Sequence, residues 1–138
     1  MKEVLRYGIT LALVCLIASA SLAVMNSLTK ARIIAQAQAE EEASLRKVLP
    51  QAATFTAVKK DEETLYYKAM DSQGNFIGIA FKASAKGYSS VVETMVGLNL
   101  DGTINAIKVI SQDETPGLGA RITKESFTGQ FKEKKSED

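Results

Sequence analysis

The sequence predicts an α+β protein, in which a single N-terminal transmembrane helix precedes a small domain with an antiparallel sheet and flanking helices. Three observations predict this class. An uncharged, apolar run of 19 residues lies near the start of the 138-residue chain. Four runs of strand composition, separated by turn signals, follow it. A short helical pattern comes after the last of these runs, so strands and helices are segregated along the chain.

The apolar run, residues 7–25, has nearly the length that an α-helix needs to cross the hydrocarbon core of a bilayer. Basic residues flank it, Lys2 and Arg6 before it and Lys30 and Arg32 after it. A cleaved signal peptide is the alternative, because Ala18-Ser19-Ala20 has the small residues of a cleavage site. A retained helix is favoured, because the run is longer than a usual signal core and the helical pattern continues after it.

A helical connector is predicted for residues 26–50. Asn26 to Val48 contains no Pro or Gly and is rich in Ala, Gln and Glu. Leu49-Pro50 ends the helix, because the residue before a proline disfavours the α conformation. The connector is interpreted as a membrane-proximal helix, and a helix that contacts a partner protein is the alternative.

The folded domain is assigned to residues 51–132. Its predicted strands are Thr64–Met70, Phe76–Ala83, Ser90–Leu100 and Thr103–Ile110. Asp101-Gly102 is the signal of a two-residue hairpin turn. A helix is predicted from Ile122 to Lys132, with Thr123 as its N-cap and with Phe127 and Phe131 on one face. Residues 133–138 form a charged tail that is expected to be disordered.

Composition excludes several function classes. Lys and Arg number 17 and Asp and Glu 16, so the net charge is 17 − 16 = +1, which argues against nucleic-acid binding. The chain has no His, and its one Cys, Cys15, lies in the apolar run. A Cys-based metal site, a disulfide framework and a Ser-His-Asp or Cys-His catalytic group within this chain are therefore excluded. A bound cofactor that supplies the chemistry fits these residues better than an unaided hydrolase.

The segment Asp113 to Arg121, D-E-T-P-G-L-G-A-R, is the main candidate site. Pro116 fixes its own φ, whereas Gly117 and Gly119 permit positive φ and a close approach of ligand to backbone. A tight turn without a ligand is the alternative. Glu114 is either a ligand-binding residue or a residue that fixes the loop by accepting backbone hydrogen bonds. Arg121 either pairs with a phosphate or is an ordinary surface residue.

Four segments follow one another at a spacing typical of one family: Gly87-Tyr88-Ser89-Ser90, Met95 to Asn99, Asp101 to Ile104, and Glu114 to Gly119. Together they resemble the FMN-binding domain of the G subunit of the Rnf complex, the ion-translocating ferredoxin:NAD oxidoreductase. The chain is also similar, less closely, to the C subunit of the sodium-pumping NADH:quinone reductase.

The resemblance implies a site, a partner set and a location. It places FMN near Tyr88, Ser89, Glu114, Thr115, Pro116, Gly117, Leu118 and Gly119. By their chemistry, the backbone N–H groups near Gly117 and Gly119 and the Thr115 hydroxyl are the candidate donors. For Tyr88, a ring that caps the core is favoured, and stacking on an aromatic ligand is the alternative. The implied function is electron relay through FMN, with other membrane subunits and the lipid bilayer as partners. Residues 1–6 would be cytoplasmic, and the domain would lie outside the inner membrane.

The chain departs from the family at its C-terminal end. Family members carry an S/T-G-A-T-x-S/T motif there, and its Thr is esterified to FMN. Thr128-Gly129-Gln130 shares only the Thr-Gly pair, so the covalent site is not transferred to Thr128. The domain is therefore expected to be incomplete, and a truncated chain is favoured over a natural short form. The alternative functions are a flavin-free, membrane-anchored assembly or binding module, and the equivalent subunit of the sodium-pumping NADH:quinone reductase.

Overall fold

The computed structural model describes residues 2–61 and 63–135, and the chain divides into two units, residues 1–40 and residues 41–138. A long helix, α1, spans Lys2–Val48 and contributes to both units. The strands are β1 (Thr54–Lys60), β2 (Glu63–Met70), β3 (Phe76–Lys86), β4 (Val91–Asn99) and β5 (Ile104–Ser111). A 3-10 helix (Ala120–Thr123), the short helix α2 (Glu125–Thr128) and a second 3-10 helix (Gly129–Phe131) follow them.

The first unit is the helical segment that contains the candidate membrane span. Its most apolar window of 18 residues has a mean hydropathy of 2.3, and none of that window is buried. Hydroxyl side chains in this segment donate to carbonyls one turn earlier, for example Ser19 Oγ to Cys15 O at 2.7 Å and Ser21 Oγ to Ile17 O at 2.8 Å. These bonds satisfy polar groups that would otherwise be costly in an apolar surrounding. By length and composition the helix can cross a membrane.

The second unit is built on a five-stranded sheet in the order β1-β2-β3-β4-β5, with every neighbouring pair antiparallel. The predicted α+β class is confirmed. The four predicted strands are present, each with its ends within three residues of the predicted ones. The sequence prediction missed β1, whose TFTAVKK sequence ends in two lysines and has only Phe55 and Val58 half-buried.

The last turns of α1 pack on one face of the sheet. The buried apolar residues there are Leu45, Val48, Leu49, Ala52, Ala69, Ala80 and Met95. Gly97 of β4 permits this close approach, because a Cβ at that position would lie 2.6 Å from the Val48 carbonyl oxygen. The same oxygen accepts a hydrogen bond from Asn105 Nδ2 at 2.6 Å, which satisfies a helix-terminal carbonyl.

Polar contacts add to this packing. Lys82 Nζ lies 2.6 Å from Glu41 Oε1, and the Tyr67 hydroxyl donates to the same carboxylate. Burial, together with the bond to Glu41, raises the pKa of Tyr67 to about 12. Burial opposes ionisation of Glu41, but the bonds from Lys82 and Tyr67 outweigh it and lower the pKa of that carboxyl. Lys108 Nζ donates to the buried Ser44 Oγ at 2.9 Å.

The predicted helix from Ile122 to Lys132 is wrong as a single element. Lys124 has extended backbone (φ −74°, ψ 145°), which separates the first 3-10 helix from α2. Thr123 is not an N-cap, because Lys124 holds that position and Thr123 Oγ1 donates to Ala120 O at 3.1 Å. Phe127 and Phe131, which were predicted only to share one helix face, have ring centroids 5.5 Å apart in an edge-to-face arrangement.

The turn and the tail also differ from the predictions. Four residues, 100–103, connect β4 to β5, and of the predicted turn pair only Gly102 has positive φ, at 79°. A two-residue type I′ turn needs positive φ at both positions. In the tail, Glu133 N donates to Ile104 O at 2.8 Å and Ile104 N donates to Lys134 O at 2.9 Å, so the tail begins as an ordered segment. Residues 136–138 lie outside the described residues.

Candidate functional site

Two loops meet at one end of the sheet. The first loop, residues 87–90, joins β3 to β4, and the second, residues 112–119, follows β5. The register pairs Lys86 with Val91 and Glu93 with Ser111. The end of β3, the start of β4 and the end of β5 therefore lie at the same end of the sheet. We call these two loops together the loop junction. The fold therefore brings together the two segments that the sequence predicted as site residues.

Glu114 connects the two loops. It is only 7% exposed, and its carboxylate accepts bonds from Ser90 N at 3.0 Å, Ser89 N at 3.1 Å and Ser90 Oγ at 3.4 Å. Ser90 Oγ in turn accepts a bond from Asp113 N at 2.8 Å. Of the two roles left open for Glu114, the structure shows the one in which its carboxylate fixes the loops through backbone hydrogen bonds.

Two glycines make room for the Glu114 side chain. A Cβ at Gly87 would lie 2.3 Å from Glu114 Oε1, and a Cβ at Gly119 would lie 2.5 Å from Oε2. Neither glycine has positive φ, so close packing against the carboxylate, and not turn geometry, requires glycine at both positions. The sequence reading attributed Gly119 to backbone freedom, and its steric role depends on the fold.

The backbone N–H groups also set the charge state of Glu114. The bond from Ser90 N, then those from Ser89 N and Ser90 Oγ, hold the pKa of this carboxyl below its ordinary value, although desolvation acts in the opposite direction. An ionised carboxylate that accepts several bonds is a strong link between two loops, because such charge-assisted bonds are stronger than neutral ones.

The E-T-P-G-L-G loop turns its own donors inward. Thr115 O accepts bonds from Leu118 N at 3.1 Å, Gly119 N at 3.2 Å and Ala120 N at 3.4 Å. Gly117 takes a φ of 85°, which the turn requires. The expectation that the Gly119 N–H donates to a ligand is therefore wrong for this conformation, because that group already has a partner within the loop.

Side chains of the loop junction point outward. Tyr88 is 90% exposed and Leu118 is 75% exposed. The interpretation of Tyr88 as a cap on the core is wrong, since its ring is in solvent. Four further predicted site residues are also exposed: Ser89, Thr115, Pro116 and Gly117. Ser89 Oγ and Thr115 Oγ1 lie 3.4 Å apart, so hydroxyl groups from the two loops lie side by side.

A groove of about 480 Å³ lies beside the loop junction. It is lined by Leu118, Gly119, Arg121, Ile122, Lys124, Ser126, Phe127 and Gln130. Its volume is in the range of small-molecule sites, and its walls combine apolar side chains with a few polar and cationic ones. The sequence reading named Arg121 but missed Lys124 and Gln130. The spacing of Arg121 and Lys124, three residues apart, was the available signal.

Comparison with known proteins gives the family. Residues 1–48 match the RnfG N-terminal region, and residues 87–138 match the FMN-binding domain. The chain is 35% identical to the G subunit of the ion-translocating oxidoreductase complex of Methanosarcina acetivorans, an alignment that covers 94% of this chain and 73% of that protein. The chain belongs to the family of G subunits of ion-translocating oxidoreductase complexes.

Two further members of this family are similar over most of the chain. The G subunit of the Na⁺-translocating ferredoxin:NAD⁺ oxidoreductase complex of Acetobacterium woodii is 31% identical, with 94% of this chain and 71% of that protein covered. The proton-translocating counterpart of Clostridium ljungdahlii is 34% identical, with 92% and 67% covered. The crystal structure of Shewanella oneidensis NqrC is also similar, at 23% identity and a TM-score of 0.48, over 63% of this chain and 46% of that one.

The loop junction lies within the matched FMN-binding region, since residues 87–90 open the match and residues 112–119 fall inside it. The groove residues lie inside the same match. The loop junction and the groove therefore both lie within the region that matches the FMN-binding domain.

Proposed function

We propose that this chain is a membrane-anchored flavoprotein subunit of an Rnf-type ferredoxin:NAD oxidoreductase, which relays electrons through FMN held at the loop junction. The observation that carries the proposal is the pair of loops fixed by Glu114 within the FMN-binding region of a chain of the G-subunit family. The relatives that are named as subunits of Na⁺- and proton-translocating complexes support the assignment to an ion-translocating complex.

The residues at the loop junction fit a flavin. The exposed Tyr88 ring and Leu118 side chain offer apolar surface to a planar aromatic ring system. The Ser89 and Thr115 hydroxyls offer hydrogen-bonding groups beside that surface. When bound, FMN supplies the electron-transfer chemistry, which this chain's own side chains lack.

The residues of the chain position the flavin. Glu114 holds the backbones of the two loops at a fixed separation, so the positions from which the exposed Tyr88 and Leu118 side chains project are fixed. A preorganised backbone lowers the entropy that ligand binding would otherwise cost. The loop junction therefore acts as a rigid platform on one end of the sheet.

Location and partners are part of the proposal. The candidate span in α1 anchors the subunit in the cell membrane, with the sheet domain on the extracytoplasmic side and the other membrane subunits of the complex as neighbours. A single anchor provides no polar interior for an ion, so the ion path belongs to those neighbours.

Flavin titration of the full chain in detergent tests the proposal. We expect FMN fluorescence to be quenched on binding and Tyr88→Ala and Leu118→Ala to weaken binding by roughly five- to tenfold each, because each removes apolar contact area. Leu65→Ala is the control, since Leu65 is an exposed apolar residue of β2. Saturable binding that is equally strong in all three variants would place the flavin elsewhere.

A flavin-free assembly or binding module is the second candidate function. The inward-facing N–H groups of the E-T-P-G-L-G loop favour it, because a purely structural turn would show the same bonds. The two functions separate in one measurement, since an assembly module binds no FMN at any concentration and leaves the titration flat.

A further inference from the structure

We propose that Ser90 is a positioning residue of the flavin site, because its hydroxyl ties the backbone of the second loop of the loop junction to the first loop. This inference rests on the proposed function and specifies how the loop junction keeps its flavin contacts in place. Glu114 holds the first loop through its carboxylate. Ser90 completes the link in the opposite direction, and it acts through the loop backbone without touching the flavin.

The hydrogen bonds between the two loops run in both directions. Ser89 N and Ser90 N of the first loop donate to Glu114 of the second at 3.1 and 3.0 Å. In return, Asp113 N of the second loop donates to Ser90 Oγ at 2.8 Å. Within residues 2–61 and 63–135, this is the one backbone N–H of the second loop that bonds to the first loop. Without the Ser90 hydroxyl, the backbone of the second loop would lose this attachment.

The Ser90 hydroxyl has both of its hydrogen-bonding functions in use. Its oxygen accepts the bond from Asp113 N, and its hydrogen is donated to Glu114 Oε1 at 3.4 Å. A serine hydroxyl donates one bond and still accepts others, so one orientation satisfies both contacts. Linked hydrogen bonds strengthen one another, because each bond polarises the next. The hydroxyl therefore couples the Asp113 N–H to the carboxylate that holds the first loop.

The backbone around Ser90 is itself fixed. Ser90 O accepts a bond from Gly87 N at 2.8 Å, which closes the first loop. The next residue, Val91, begins β4 and pairs with Lys86 of β3. Ser90 therefore lies where the loop joins the sheet, and the strand ladder restricts its motion. A group supported in this way holds its partner more precisely than a group in the middle of a loop.

The backbone that Ser90 holds leads directly to predicted flavin contacts. Asp113 lies two residues before Thr115, whose hydroxyl is 3.4 Å from Ser89 Oγ. A shift of the backbone at Asp113 would separate these two hydroxyls and would move the second loop relative to the first. Binding sites lose affinity when their contacts are displaced by fractions of an ångström. The Ser90 hydroxyl therefore sets the spacing between the two halves of the site.

Three variants of the full chain in detergent test this role. Ser90→Ala removes the hydroxyl, whereas Ser90→Thr keeps it. Ser72→Ala is the control, since it removes an exposed hydroxyl from the turn between β2 and β3, at the opposite end of the sheet. The dissociation constant of FMN is measured by fluorescence, and exchange of the Asp113 amide is measured by NMR without flavin. Far-UV circular dichroism checks the fold of each variant.

We expect Ser90→Ala to bind FMN roughly fivefold more weakly, which is the size of effect that loss of one hydrogen bond produces. Its Asp113 amide should exchange faster than in the unmodified chain, because the N–H group loses its partner. Ser90→Thr should restore both the affinity and the slow exchange, since it keeps the hydroxyl. Ser72→Ala should match the unmodified chain in both measurements.

The positioning role and the proposed function fail in different ways. If Ser90→Ala binds FMN as tightly as the unmodified chain, or if Ser72→Ala weakens binding as much, Ser90 does not position the flavin site, although the chain remains a flavin-binding protein. Unchanged exchange of the Asp113 amide in Ser90→Ala would overturn the role as well. If the unmodified chain binds no FMN, the proposed function fails and the positioning role fails with it, whatever the amide exchange shows.

Discussion

Two regions of the sheet domain, the face covered by α1 and the loop junction at one end of the sheet, are held together in opposite ways. Where α1 packs on the sheet, apolar side chains are buried and Gly97 permits backbone to approach backbone. At the loop junction, one carboxylate makes the connection, and Tyr88 and Leu118 remain exposed. Burial stabilises but uses up surface, whereas a hydrogen-bonded link fixes loops and leaves their side chains available. The difference is the reason that we propose the ligand site at the loop junction.

The largest effect on stability is expected from a substitution on the face where α1 packs against the sheet. Gly97→Val should destabilise the domain by about 3 kcal/mol, because its side chain meets the Val48 carbonyl and the backbone has to move. Thermal unfolding of the full chain, followed by circular dichroism, measures it. Gly129→Ala is the control, since Gly129 has helical φ of −66° and open space around it, and it should change stability by less than about 1 kcal/mol.

The next largest effect on stability is expected from a substitution that crowds the loop junction in the same steric way. Gly119→Ala should cost about 1–2 kcal/mol, because the new Cβ lies too close to the Glu114 side chain, whose end can shift only by losing hydrogen bonds. The amide signals of Ser89 and Ser90 should move in the NMR spectrum. Unchanged Ser89 and Ser90 amides would show that the carboxylate does not hold this loop.

Acid should loosen the loop junction. The pKa of Glu114 is lower in the folded chain, so its contribution to stability is present above the ordinary pKa of 4.5 and is lost as pH falls through the lowered value. Amide exchange at Ser89 and Ser90, corrected for intrinsic rates, should rise in that range. In Glu114→Gln the exchange should be faster from the start and lose this pH dependence. A wild-type profile parallel to that of Glu114→Gln would contradict the assignment.

The smallest effect on stability is expected from loss of the ion pair beside the α1 contact, which tests whether packing or charge dominates there. Lys82→Met removes an ion pair whose Lys side chain is 46% exposed, and such pairs contribute at most about 1 kcal/mol. Denaturant unfolding should show a loss well below that of Gly97→Val. A loss of stability as large as that of Gly97→Val would mean that electrostatics, and not close packing, holds α1 on the sheet.

Local signals in the sequence predicted the fold class, four strands and the residues of both loops. They failed where tertiary contacts decide the outcome. The ordered Glu133 and Lys134 depend on Ile104 of β5, which is far away in sequence. The role of Gly119 depends on where Glu114 points, and the inward turn of the loop donors depends on Thr115 O. No periodicity or composition encodes such contacts.

The central claim is that the loop junction is the flavin site. The most direct test is a titration of the ¹⁵N-labelled full chain in detergent with FMN, followed by amide NMR. The account predicts saturable shifts concentrated at residues 87–90, 114–119 and 121–130, with little change at Val48 and Gly97. Shifts confined to the α1-covered face, or no shifts at a saturating concentration of FMN, would contradict it.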